Sequence, residues 1–98
     1  MRALTLSSHG STPELIDTDL HAPHAGEIQI AVKACGLNFA DLLMAEGRYQ
    51  DRPALPFIPG LECAGVVEAL GPGVAGPSLG ARVAVYGGQG GLAEYGCF

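Results

Sequence analysis

The residues best placed to do chemistry are Asn38 and Asp41, three apart where a strand pattern gives way to a helical one. Asn is a favoured N-cap, and an acid at the third helical position returns a hydrogen bond and suits the positive helix end. That structural account is the simpler one, yet a helix amino terminus at the end of a strand also presents polar groups to a cleft. Tyr49, in the proline-rich stretch that follows, either covers the edge of a core or forms a flat wall for a planar ligand. Glu62 opens an apolar strand containing Gly65, and the alternation favours a water-facing Glu62, alongside Glu68, over one facing a cleft.

Other constellations are weaker. His21 and His24 flank Pro23 with no thiolate or further histidine nearby, so a solvated loop is the expectation rather than a metal site. Gly88-Gln89-Gly90-Gly91-Leu92-Ala93 has the form G-x-G-x-x-A of dinucleotide fingerprints, but the helix and second strand of a βαβ unit do not follow. It reads as a hairpin loop whose glycines permit positive φ. Cys35, Cys63 and Cys97 are odd in number, widely spaced and read as small buried thiols. No Ser/His/Asp order and no P-loop is present.

The elements that must position these residues are short. Arg2 to Leu6 is a first strand, Glu14 to Asp19 an edge-like second, and Glu27 to Cys35 the clearest, with Ile28, Ile30, Val32 and Ala34 on one face. Asn38 to Ala45 is a helix with Phe39, Leu42, Leu43 and Ala45 or Glu46 on its apolar stripe, ended by Gly47. Arg48 to Pro59 holds three prolines and is a stiff irregular loop. Glu62 to Ala69 is a strand whose apolar positions are Leu61, Cys63, Val67 and Ala69, and Gly65 within it marks a bulge, a bend or a close approach. Ala81 to Tyr86 and Leu92 to Cys97 complete the strands.

At 98 residues, with 15 glycines and 48% hydrophobic content, the chain has room for one domain of many short strands. A net charge of −5 without any Lys/Arg cluster argues against binding to nucleic acid or anionic lipid. The absence of a long apolar run or a signal-peptide plan makes no membrane association and a cytoplasmic location the default expectation.

Lys33-Ala34-Cys35-Gly36-Leu37-Asn38-Phe39-Ala40-Asp41, Gly47-x-Tyr49, Pro56-x-x-Pro59-Gly60-x-Glu62-x-x-Gly65-x-Val67, Gly80-x-Arg82-Val83 and Gly91-x-Ala93-Glu94-Tyr95 follow one another along the chain. Together they resemble the amino-terminal catalytic domain of the medium-chain dehydrogenase/reductases, most closely the zinc-independent quinone oxidoreductase branch of zeta-crystallin type. The resemblance implies a mainly β, GroES-like, partly open β-barrel with a short helix over residues 1–98. It implies a truncated piece, lacking the Rossmann domain that holds NADPH in the family and the later segments that complete the barrel.

It also implies roles. Asn38 would hydrogen-bond a substrate carbonyl or the nicotinamide ribose region, Asp41 would orient Asn38, and Tyr49 would wall the planar substrate and cofactor, with Glu62 and Gly65 structural beside the site. The expected partners are a quinone or other conjugated carbonyl and the missing Rossmann domain, with a homo-oligomer allowed. Where zinc alcohol dehydrogenases carry cysteine and histidine ligands, this chain has Asn38 and Leu61, so no zinc is expected. Gly80-Ala81-Arg82-Val83 replaces the family's Gly-Asp-Arg-Val, a change at a turn. Two rival expectations are a stand-alone GroES-like binding module that meets no nucleotide and a zinc dehydrogenase relative that has lost its metal.

Overall fold

Strand alternation and turn spacing leave the chain little choice but antiparallel sheet, and the computed structural model, which describes residues 1–98, has two such sheets. The elements are β1 (Arg2–Thr5), β2 (Glu14–Asp17), β3 (Ile28–Gly36), α1 (Phe39–Ala45), β4 (Glu62–Leu70), β5 (Arg82–Tyr86) and β6 (Tyr95–Cys97). β1 and β2 form a two-stranded sheet, and the larger sheet runs β5-β4-β3-β6. This mainly β arrangement with open edges and one short helix is the partial GroES-like barrel expected.

The segments meet at a small apolar cluster. Leu6, Met44, Phe57 and Leu61 are all buried together, with Ala40, Ala45 and Tyr49 packed against them. Phe57 anchors the proline-rich loop there, since Leu6 and Phe57 exchange main-chain bonds of 2.9 and 3.1 Å. Leu61 therefore serves packing. β1 is tied to the far end of the chain, with Leu4 N–H donating to Leu92 O at 2.9 Å and Glu94 N–H to Arg2 O at 3.0 Å. The Glu94 carboxylate in turn accepts from the Arg2 N–H, which with the nearby guanidinium holds it below the usual carboxylate range.

Gly65 sits at the closest approach of β3 and β4. A Cβ there would press into the Ala31 carbonyl oxygen and the Ile30 side chain. The pairing slips beside it, from Val32↔Gly65 to Ala34↔Ala64, so Lys33 is bulged out of register. This bulge corrects the alternation expected of β3. Gln29, Ile30 and Ala31 are buried in succession where β6 pairs with them and a second register shift falls between Gln29 and Ile30, and beyond the Lys33 bulge Ala34 is exposed. β3 is also flanked on both sides, and Gln29 turns its amide to His21 O at 3.0 Å.

Three further expectations are corrected. The loop through Gly87 to Gly91 is not a hairpin, although Gly88 and Gly90 do have positive φ. β5 and β6 lie on opposite edges of the sheet, each bonded to a different inner strand. The last strand is also shorter than Leu92 to Cys97, since Leu92 N–H goes to Pro59 O and Ala93 bridges Ala3. In α1 the buried residues are Asp41 (7% exposed) and Met44, while Phe39 and Leu42, assigned to the apolar stripe, are 73% and 61% exposed. The helix is turned by its acid rather than by its leucines.

The bulge and close approach at Gly65 carry a stability expectation. Gly65→Ala must separate β3 from β4 and should cost about 1–3 kcal/mol or more, read as a lowered midpoint in urea denaturation; an unchanged midpoint would mean the strands are not in this contact.

Candidate active-site face

Asn38 stands where β3, after Gly36 and Leu37, turns into α1, with φ −119° and ψ 155°. The residue is extended, as an N-cap should be. Its own N–H donates to Asp41 Oδ2 at 2.9 Å, and Asp41 N–H donates to the Asn38 main-chain carbonyl at 3.0 Å. The second carboxylate oxygen, Asp41 Oδ1, accepts from Gly60 N–H at 3.0 Å in a buried bond. A buried carboxylate costs heavily unless paired, and two main-chain donors to an ionised acceptor offset that cost. These bonds hold the Asp41 face of α1 against the Pro59-Gly60 turn and leave Phe39 and Leu42 outside.

Asp41 therefore holds the Asn38 main chain, and the two residues form a capping box at the start of α1. The Asn38 Nδ2 group is buried and has no hydrogen-bond partner. Such a donor retains its full capacity for a carbonyl or hydroxyl oxygen brought to it. Around this corner lie exposed alkyl and aryl groups, Leu37 (76%), Phe39 and Leu42. An open groove of about 430 Å³ lies on the neighbouring surface, lined by Leu4, Leu37, Asp41, Leu42, Pro59 and Leu92 among others; Asn38 and Phe39 stand outside its lining. Gly60 supports the same corner, with φ +105° and no room for a Cβ between Leu92 N and Cys35 Sγ. Only glycine fits that turn.

The other anticipated residues lie around this corner rather than in it. Tyr49 packs, half-buried, against the Leu6 cluster and covers the core edge. Glu62 is exposed on β4, as is Glu68, which agrees with the water-facing reading. Its carboxylate lies over Gly36, in a separate groove of about 500 Å³ bordered by Cys63, Ala84 and Tyr86. Gly65 is purely a packing residue. The largest concavity, about 810 Å³, lies elsewhere, between β5 and β6, with Ile58, Ala84, Tyr86, Tyr95, Cys97 and Phe98 in its lining. It is the gap between the open edges of one sheet, whereas the buried unpaired donor lies at the Asn38 corner.

His21 and His24 stack with ring centroids 5.3 Å apart in an exposed loop. The cysteines are free, Cys63 is buried and the other two half-buried, and burial raises the pKa of all three. Cys35 Sγ contacts Glu62 O at 3.1 Å. What residue types alone do not disclose is Gly60 as the second partner of Asp41; in the sequence the Pro59-Gly60 pair stands out only as part of the motif Pro56-x-x-Pro59-Gly60. No helix is long and apolar enough to cross a membrane.

The double acceptance by Asp41 has a measurable consequence. Asp41→Asn puts an amide N–H₂ against one of two main-chain donors and should cost about 2 kcal/mol, seen as a lower thermal midpoint at neutral pH; an equal midpoint would mean that Asp41 does not hold the Gly60 turn.

Comparison with known proteins agrees with this architecture. The sequence pattern of the "Alcohol dehydrogenase GroES-like domain" matches residues 24–98. The human synaptic vesicle membrane protein VAT-1 homolog-like is 43% identical over 88 residues, covering 88% of this chain and 21% of that protein. The quinone oxidoreductase of Rattus norvegicus is 36% identical over 100 residues, covering 97% of this chain and 30% of that protein. Among solved structures, the quinone oxidoreductase from Thermus thermophilus, described also in its complex with NADPH, superposes with a TM-score of 0.84 at 42% identity, over 99% of this chain and 29% of that one. The chain thus spans between a fifth and a third of the length of these relatives. With the barrel strands, the capped helix and the matched pattern in agreement, the chain belongs to the alcohol dehydrogenase GroES-like domain family, and its relatives are VAT-1 and quinone oxidoreductase-like members of the medium-chain dehydrogenase/reductases.

Proposed function

We propose that this chain is the substrate-side domain of an NADPH-dependent quinone or enone oxidoreductase that works without zinc. The observation that carries the reading is the Asn38 amide, a buried donor with no partner, set beside exposed apolar side chains. A flat conjugated carbonyl compound needs both features: apolar surface for its ring and one directed donor for its oxygen. NADPH, when bound by an accompanying domain, supplies the hydride. The Asn38 amide then binds the substrate oxygen and stabilises the negative charge that grows on it, a contribution larger in the transition state than in the ground state.

Each neighbour has a part in this reading. Asp41 fixes the main chain from which Asn38 projects and ties it to Gly60, so the donor is held before substrate arrives. Leu37, Phe39 and Leu42 offer apolar surface to the ring of the substrate. Tyr49 acts from behind, by supporting the core under α1. Glu62 and Gly65 keep β4 in place, with no contact to substrate. A metal would find an amide and an alkyl chain at Asn38 and Leu61, and Leu61 is committed to the apolar cluster.

The nucleotide requires another domain. The Gly88 to Gly91 loop leads to β6 and not to a helix, so this chain builds no pyrophosphate cradle. The relatives' greater length and the NADPH complex of the Thermus thermophilus enzyme support a nucleotide-binding partner domain. Titration calorimetry of the 98-residue chain with NADPH should show no binding tighter than about 1 mM; micromolar affinity would favour a different site.

Asn38 gives the decisive test. In the longer protein that pairs this domain with a nucleotide-binding one, Asn38→Ala should lower turnover of quinones by on the order of a hundredfold. The loss of the N-cap should cost only about 0.5–2 kcal/mol of stability, far too little to account for such a fall in turnover. Undiminished turnover would sink the assignment. Activity that depended on added zinc would instead favour the metal-dependent relatives.

A further inference from the structure

We propose that Cys35 and Cys63 form a redox site, a dithiol that a hydroperoxide converts into a disulfide across the β3–β4 ladder. The two residues stand directly opposite one another, flanked by the pairs Ala34↔Ala64 and Gly36↔Glu62. Directly opposed residues of an antiparallel pair project from the same face of the sheet. The bonds along β4 show which kind of pair this is. Gly87 N–H donates to Leu61 O, and Val67 N–H donates to Ala81 O, so the odd-numbered residues of β4 spend their main-chain groups on β5. Cys63 belongs to that series and turns its groups away from β3. Cys35 and Cys63 are thus a non-hydrogen-bonded pair, the closer of the two kinds, with a Cα separation of about 4.5 Å. A disulfide spans about 4.4–6.8 Å between Cα atoms, so this spacing suits one.

The sulfur of Cys35 has a defined seat. It donates to Glu62 O at 3.1 Å, on the residue just before Cys63. It also fills the space between Gly60 and Gly91, since a Cβ on either glycine would meet it at 2.9 Å. Rotation about the Cα–Cβ bond carries it from Glu62 O toward Cys63. Burial first, and then Cys63, Asp41 and Glu62, raise the Cys35 pKa. None of these favours the thiolate, so Cys35 reacts slowly with an oxidant from solution. What distinguishes the site is the second sulfur across the ladder, which meets the oxidised Cys35 before any outside thiol does.

The chemistry takes two steps. Cys35 is half-buried and Cys63 is buried, so the oxidant meets Cys35 first. With hydrogen peroxide, the Cys35 thiolate attacks one oxygen, the O–O bond breaks, and the departing hydroxide takes up the thiol proton as water, which leaves a sulfenic acid on Cys35. The Cys63 thiolate then attacks the Cys35 sulfur. The S–S bond forms as the S–O bond breaks, and the second hydroxide leaves as water with the Cys63 proton. Two thiols give up two electrons, and one peroxide becomes two waters. The new bond ties together the stretches that Asp41 already joins, for Cys35 lies three residues before Asn38 and Cys63 three after Gly60. Cys97 is set apart, opposite Gln29 at the other end of β3.

Tryptic cleavage places the three cysteines on separate peptides, so the linkage can be read directly. After hydrogen peroxide treatment of the folded 98-residue chain, mass spectrometry of the unreduced digest should find the Cys35 and Cys63 peptides joined, lighter by two hydrogens than their sum and separated by dithiothreitol. The rate of joining should not change with protein concentration. Cys63→Ala removes the second sulfur and should leave Cys35 as a sulfenic acid that dimedone traps, whereas the wild-type chain gives little adduct. Dimedone labelling of wild-type Cys35 as full as in Cys63→Ala overturns the proposal. So does a chain that keeps both thiols under peroxide, a Cys35 sulfinic acid beside an intact Cys63 thiol, or linkage found only between chains. Should Cys63→Ala disturb the fold, the peptide map of the wild-type chain alone decides.

Discussion

One buried carboxylate holds the functional corner of this domain together. Asp41 sits in the first turn of α1 with both oxygens bonded to main-chain N–H groups, one at the cap of its own helix and one on a turn 19 residues further along. Through that bond the helix, the strand before it and the start of β4 share a fixed geometry. The helix is only seven residues long, too short to be stable by itself, and it depends on this tether and on Met44 in the cluster below. The exposed apolar side chains are a result of the same constraint. A helix rolled to bury its leucines would have to lift the acid from the Gly60 turn.

How much of this can be read from residue order depends on the range of the interaction. Local signals are dependable: Asn38 starts the helix and Gly47 follows its end, β1, β4 and β5 lie where alternation puts them, and the proline loop is irregular. The apolar face of α1 is misjudged from sequence because the period of the leucines is a local signal, whereas the partner that turns the helix, Gly60, is distant along the chain. β3 is misjudged because its two register shifts against β4, between Gln29 and Ile30 and at Lys33, are set by a strand distant along the chain. The β5–β6 loop has hairpin chemistry, but β3 offers the last strand a better edge.

The site is legible to a similar degree. Asn38 and Asp41 stand out by their spacing, and the structure places them together at the corner. The returned bond of the cap is legible too, but only coordinates reveal that Asp41 also takes the Gly60 N–H and that Asn38 Nδ2 is buried without a partner. Tyr49 shows the ambiguity of an amphipathic ring: the same sequence position suits a ligand wall and a core cover, and the Leu6 cluster decides for the latter.

The bonds between β1 and the segment Leu92 to Glu94 also bear on how the domain is made. Leu4 N–H reaches the Leu92 carbonyl, and Arg2 N–H and the Glu94 carboxylate are 92 positions apart. During synthesis the β1–β2 hairpin can form early, yet its partners Leu92 and Glu94 are not available until they too have left the ribosome. A nascent chain therefore exposes the β1 edge throughout the synthesis of everything between, and the docking of β1 comes as one late, long-range closure, slow by the standards of local folding.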